Sequence, residues 1–75
     1  MGEITPVRVA IAGSTGSIGT QTLEVIRADP HHFRVTALAA GSSVAQLIEQ
    51  AHEFRPEVVV VSREELCQQV AAALP

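Results

Sequence analysis

Two hydrophobic rhythms alternate along this chain. Three short stretches, 7–12, 33–40 and 58–61, are almost continuously apolar and rich in β-branched residues. Runs of this kind predict strands buried on both faces. Elsewhere the apolar residues return at helical spacing. From Ser17 to about Asp29, the residues Ile18, Thr22, Val25 and Ile26 predict one apolar helix face, and Pro30 stops the segment. Val44, Leu47, Ile48, Ala51 and Phe54 predict a second helix, opened by Ser43 as its N-cap and closed by Pro56. Leu66, Val70, Ala73 and Leu74 predict a third, with Ser62 as its cap.

The order is therefore β-α-β-α-β-α with short connections. Alternation of this kind predicts an α/β fold with a parallel sheet and right-handed crossovers: one Rossmann-like half of a doubly wound architecture. The 75 residues are enough for one small domain. A three-stranded parallel sheet leaves a long apolar edge exposed. The expectation is thus that the chain begins a larger protein or pairs with another.

The strongest chemical signal lies where the first strand meets the first helix. Gly13-Ser14-Thr15-Gly16-Ser17-Ile18-Gly19 places three glycines at intervals of three. Gly13 allows a sharp turn, Gly16 allows a pyrophosphate to approach the backbone, and Gly19 allows the helix to pack closely on the sheet. Thr15 and Ser17 add hydroxyls beside the bare N–H groups of a helix N-terminus, an anion site. The motif sits inside a βαβ unit, which is the context that gives it meaning. It is not a P-loop, because the chain contains no lysine.

The end of the second strand bears on which dinucleotide is bound. An acidic residue about 20 positions beyond the glycine turn binds the ribose hydroxyls of NAD. Here that region reads Ala39-Ala40-Gly41-Ser42-Ser43, without a carboxylate. Small residues, two hydroxyls and a helix N-terminus suit a 2′-phosphate, so the pattern favours NADP. Arg63, at the next strand–helix junction, is the basic residue in position to reach over.

Composition narrows the remaining classes. A net charge of −3 and five scattered arginines argue against nucleic-acid or membrane-surface partners. The single Cys67 reads as a reduced thiol on a helix. No apolar run reaches the ~18 residues of a membrane span, and the first ten residues carry neither a basic leader nor a signal-type apolar core. The expected location is cytoplasmic. His31 and His32 read as a solvated loop, and Glu64-Glu65 as the acidic first turn of a helix.

Together with the glycine turn, the segments Thr22-Leu23-Glu24-Val25-Ile26, Ala37-Leu38-Ala39-Ala40-Gly41, Glu49-Gln50 and Phe54-Arg55-Pro56, with Pro30, Phe33 and Val35, closely resemble the N-terminal segment of the 1-deoxy-D-xylulose 5-phosphate reductoisomerases. The resemblance runs from Val7 to about Ser62. It implies that 1–75 is the N-terminal part of an NADP-binding Rossmann domain in a longer chain. It implies an enzyme that isomerises 1-deoxy-D-xylulose 5-phosphate, a sugar phosphate, and reduces it with NADPH to 2-C-methyl-D-erythritol 4-phosphate in non-mevalonate isoprenoid biosynthesis. It further implies a divalent metal (Mg, Mn or Co) held downstream, a homodimer, and an isolated segment without activity. Under the resemblance Thr15, Gly16, Ser17 and Ile18 contact the NADPH phosphates, and Gly41, Ser42 and Ser43 contact the 2′-phosphate region. Many members carry Lys-Asn where this chain has Ser42-Ser43, which bears on the strength of NADP preference rather than its direction. Two other readings stand beside this one: the start of a semialdehyde or acyl-phosphate reductase, and a non-enzymatic dinucleotide-binding module.

Overall fold

The structure, a computed structural model, describes residues 5–74. Six elements follow in the expected order: β1 (Val7–Ala12), α1 (Ser17–Ala28), β2 (Phe33–Ala40), α2 (Val44–Phe54), β3 (Val58–Val61) and α3 (Glu64–Ala73). The strands form one parallel sheet in the order β1-β2-β3. Because every strand runs the same way, all three strand–helix loops open at the same end of the sheet, where α/β folds bind their ligands.

The helices end where local chemistry requires. Arg55 takes the left-handed conformation (φ 49°) just after α2, its N–H bonds the Ala51 carbonyl at 2.9 Å, and Pro56 then blocks continuation. Capping differs from the sequence expectation. Ser43 is at the N-cap of α2 but its hydroxyl makes no capping bond. Arg63, not Ser62, is the N-cap of α3, because the Ser62 hydroxyl instead donates to the Gly41 carbonyl at 3.2 Å.

One hydrophobic cluster holds the elements together. Ile11, Val35, Leu38 and Ala40 of the sheet meet Leu23 and Ile26 of α1, Leu47 of α2 and Val70 of α3. β2 carries an extra residue opposite β1, with Val9 paired to Val35 and Ala10 to Ala37. The irregularity leaves Thr36 without a partner residue and brings both Val35 and Leu38 into the core. All three helices feed this one cluster, so strand residues of the opposite parity remain uncovered. Ala10, Ala12, Val58 and Val60 are exposed. Strands buried on both faces, as the continuous apolar runs suggested, are therefore not what these residues form. β2, paired along both edges, is the least exposed strand, with Arg34 as its one exposed residue.

The apolar face expected for α1 is also corrected. Ile18 is 80% and Val25 62% exposed, while the buried residues are Gly19, Leu23 and Ile26. The close approach of Gly19 to the turn sets the rotation of the helix, and the i, i+4, i+7 stripe from that residue faces the core.

Leu38 lies on the central strand and has no exposed surface. Leu38→Ala is expected to cost about 2–5 kcal/mol, the range for emptying a tightly enclosed leucine site. Urea denaturation of variant and parent checks this. A loss below about 1 kcal/mol would mean that the surrounding cluster collapses into the gap.

Candidate functional site

The turn between β1 and α1 is tied down from three directions. The Gly13 and Ser14 N–H groups both donate to the Ala39 carbonyl of β2, at 2.8 and 2.9 Å. The Gly16 N–H donates to the Gly13 carbonyl at 3.0 Å, closing the turn on itself. The Gln50 side chain, from α2, donates from Nε2 to the Ser14 carbonyl at 2.8 Å. Gly13 sits at φ 72°, a conformation that glycine adopts without strain.

These bonds determine which donors are left for a ligand. The N–H groups of Gly13, Ser14 and Gly16 are consumed inside the protein. The first helical bond of α1 runs from the Thr20 N–H to the Gly16 carbonyl at 2.9 Å. Ser17, Ile18 and Gly19 precede it, so their N–H groups have no helical acceptor. The Thr15 N–H has no backbone partner among the described residues. Free N–H groups at a helix N-terminus, aided by the helix dipole, attract an anion by about 0.3–1 kcal/mol at exposed ends. An open groove lined by Ala12, Gly13, Gly16, Ser17, Ile18 and Gly19 runs past the last three of these residues; Thr15 does not line it.

The second predicted cluster lies at the same end of the sheet. Gly41, Ser42 and Ser43 form an exposed loop between β2 and α2. Neither serine hydroxyl has a hydrogen-bond partner among the described residues, so both are available to a ligand. The Ser62 bond to Gly41 brings the β3–α3 junction beside this loop. Arg63 follows at once, but its guanidinium pairs with Glu65 at 2.7 Å.

The remaining candidates separate from this end. His32 contacts Asp29 (Nδ1 to Oδ1, 2.6 Å) in an exposed local pair beyond α1. No group of three or more His, Cys, Asp or Glu converges among the described residues. Cys67 is a free, exposed thiol on α3. A cleft between α2, β3 and α3, lined by His52, Arg55, Glu57 and Cys67 among apolar residues, involves the α2–β3 connection at the opposite end of the sheet. Arg27 of α1 and Glu53 of α2 form a surface ion pair (Nη2 to Oε1, 2.8 Å). The hydrogen bond from Arg27 holds the Glu53 carboxyl below its ordinary pKa, and the same bond raises that of Arg27. Both side chains are about half exposed, and such pairs contribute little to stability.

Two buried polar residues at the turn had no assigned role in the sequence reading. Ser14 is fully buried and Gln50 nearly so. The signal for Gln50 was its position: it falls on the apolar stripe Leu47, Ala51 and Phe54, where a polar side chain needs a buried partner. Ser14 carried no such signal, because its burial arises from contacts distant in sequence.

A parallel βαβαβα unit, with a glycine turn between its first strand and first helix, defines a Rossmann-like α/β protein. Known proteins narrow this further. Residues 9–75 match the family model described as 1-deoxy-D-xylulose 5-phosphate reductoisomerase. The chain is 49% identical over 69 residues to the chloroplastic reductoisomerase of Oryza sativa, covering 92% of this chain and 15% of that protein. It is 50% identical over 74 residues to the reductoisomerase of Bacteroides fragilis, covering 99% of this chain and 19% of the relative. A crystal structure of DOX-P reductoisomerase in complex with magnesium superimposes with a TM-score of 0.84 at 38% identity, over 91% of this chain and 17% of that one. The chain belongs to the 1-deoxy-D-xylulose 5-phosphate reductoisomerase family, of whose curated relatives it spans less than a fifth of the length. This sets aside the reading as a semialdehyde or acyl-phosphate reductase.

Proposed function

We propose that this chain is the cofactor-binding start of a reductoisomerase that isomerises and reduces 1-deoxy-D-xylulose 5-phosphate with NADPH. The observation that carries the proposal is the set of free N–H groups on Thr15, Ser17, Ile18 and Gly19 at the carboxyl end of β1. In this reading they hold the pyrophosphate, while Gly13 and Gly16 let it approach the backbone. Gly41, Ser42 and Ser43 hold the adenosine 2′-phosphate. Residues 1–75 are then the N-terminal part of an NADP-binding Rossmann domain in a longer protein. The bound nicotinamide supplies the hydride. The residues here bind and orient it; the segment alone does not turn over substrate.

The magnesium in the related crystal structure supports a divalent metal. The described residues gather no carboxylate or histidine cluster to hold one, so in this reading the metal and the sugar phosphate are bound by later parts of the protein. The homodimer expected from the resemblance belongs to the same proposal. No described helix is long and apolar enough to cross a membrane.

The test is a fluorescence titration of the intact protein with NADPH and NADH, in parent and Ser42→Asp forms. The parent is expected to bind NADPH more tightly. Ser42→Asp sets a carboxylate against the 2′-phosphate and is expected to weaken NADPH by about tenfold or more while leaving NADH within about twofold. A parent that binds neither dinucleotide would overturn the proposal. Binding without conversion of the sugar phosphate in the presence of Mg²⁺ would favour the non-enzymatic module.

A further inference from the structure

We propose that Gln50 is a positioning residue for the dinucleotide: it aims the Thr15 N–H at the pyrophosphate by holding the Ser14 carbonyl. The inference rests on reading the glycine turn as the pyrophosphate site. It follows from the geometry of one peptide unit. The Ser14 carbonyl and the Thr15 N–H belong to the same planar group, and in a trans peptide they point in opposite directions. No cis peptide bond occurs among the described residues. Gln50 Nε2 donates to the Ser14 carbonyl at 2.8 Å and draws that oxygen towards α2. The Thr15 N–H is thereby turned away from α2.

Other contacts at the turn do not replace this one. The Gly13 and Ser14 N–H groups are held by Ala39, which constrains the peptide units before Ser14 but not the one after it. Among the described residues, no other side chain from outside the turn and α1 hydrogen-bonds to residues 13–19. Ser14 is fully buried, so its carbonyl has no route to solvent while the turn keeps its shape. The Gly16-to-Gly13 bond closes the turn around the Ser14–Thr15 peptide but leaves the tilt of that central unit unfixed. Without the Gln50 donor the unit is expected to tilt towards a new partner for the buried carbonyl, and the Thr15 N–H tilts with it.

Gln50 is 8% exposed, and its Oε1 has no partner among the described residues. The Gln50 amide is the donor for the buried Ser14 carbonyl, which an apolar residue would leave unpaired, so any replacement costs stability as well as the orientation of this peptide. Gln50→Met keeps the length and removes both the donor and the orphaned Oε1. Its melting temperature is expected to fall because the Ser14 carbonyl loses its partner, so the NADPH constants are the readout of positioning.

The experiment compares parent and Gln50→Met intact protein in steady-state kinetics, direct titration and thermal melting. The expected result is a rise of about tenfold in KM and Kd for NADPH, with kcat within about twofold. NADH should weaken by the same factor, because the pyrophosphate is common to both; Ser42→Asp, in contrast, acts on NADPH alone. A lower kcat or melting temperature with unchanged KM would reduce Gln50 to a packing residue and overturn the inference. Unchanged behaviour in every assay would also overturn it. A second measurement needs no variant: the Thr15 amide resonance of the parent should shift when NADPH is added, as should the Gln50 side-chain amide. A silent Thr15 amide in a protein that binds NADPH would overturn the inference while leaving the function standing. A parent that does not bind NADPH would remove the function first, and the inference with it.

Discussion

Gly19→Ala is expected to produce the largest loss of stability of any single-methyl addition in the turn, several kcal/mol, enough to unfold a marginal domain. A Cβ on this residue would collide with the Gly13 carbonyl oxygen and lie 2.7 Å from the Ser14 Cα and 2.9 Å from the Gly13 carbonyl carbon. All three atoms are backbone, so no side-chain rotation relieves the collision. Relief requires α1 to lift from the sheet or the turn to move. Lifting α1 exposes Leu23 and Ile26, which are buried in the core cluster. Moving the turn stretches the Gly13 and Ser14 bonds to Ala39. Thermal melting of the intact protein measures the loss, and NADPH titration of any folded fraction should show weakened binding. A variant that melts with the parent would show that α1 stands farther from the turn than described.

Gly16→Asp is expected to act in the opposite way on stability while removing dinucleotide binding. Gly16 is the N-cap of α1, with φ −79° and ψ 176°, a conformation open to any residue. A Cβ there would meet only the Gly13 carbonyl oxygen, at 3.4 Å, which asks for a small local adjustment. Aspartate at an N-cap accepts from the free N–H groups of the first turn and gains a few tenths of a kcal/mol over glycine. It thereby occupies the donors proposed for the pyrophosphate and sets a negative charge against it. A loss of about 100-fold in NADPH affinity is expected, with the melting temperature held or raised. Calorimetric titration and thermal melting of the same sample check both signs. Retained NADPH affinity would place the pyrophosphate away from this turn and overturn the assignment of its N–H groups to the cofactor.

These two glycines show how much of the site was legible in the sequence. The spacing Gly13, Gly16, Gly19 after an apolar strand assigns a role to each. The structure has Gly13 at positive φ and Gly19 in close approach, against the backbone of the turn rather than the strands, while Gly16 stands at the helix N-cap and its part in admitting a pyrophosphate belongs to the proposed function. The strand and helix limits were legible too, because Pro30 and Pro56 end segments by local sterics that need no tertiary information. Burial was less so. Continuous apolar runs do not record how many faces are covered, and here all three helices pack into one cluster, leaving Val58 and Val60 exposed. The phase of α1 departs from the apolar pattern for a related reason. Ile18 and Val25 are more hydrophobic than Gly19, yet the bare Cα of Gly19 is what allows close approach and so chooses the buried face.

Order, type and direction of the elements, the parallel sheet and the two candidate loops among the three at its carboxyl end came from sequence alone. They depend on interactions within a few residues and on the handedness of strand–helix–strand connections. The tertiary structure alone decided the rotation of α1, the single covered face of the sheet, the diversion of Ser62 to Gly41, and the contact of Gln50 with Ser14. Each of these pairs groups distant in the chain, and their choice of partner is a competition for buried hydrogen bonds and close packing that no local pattern records.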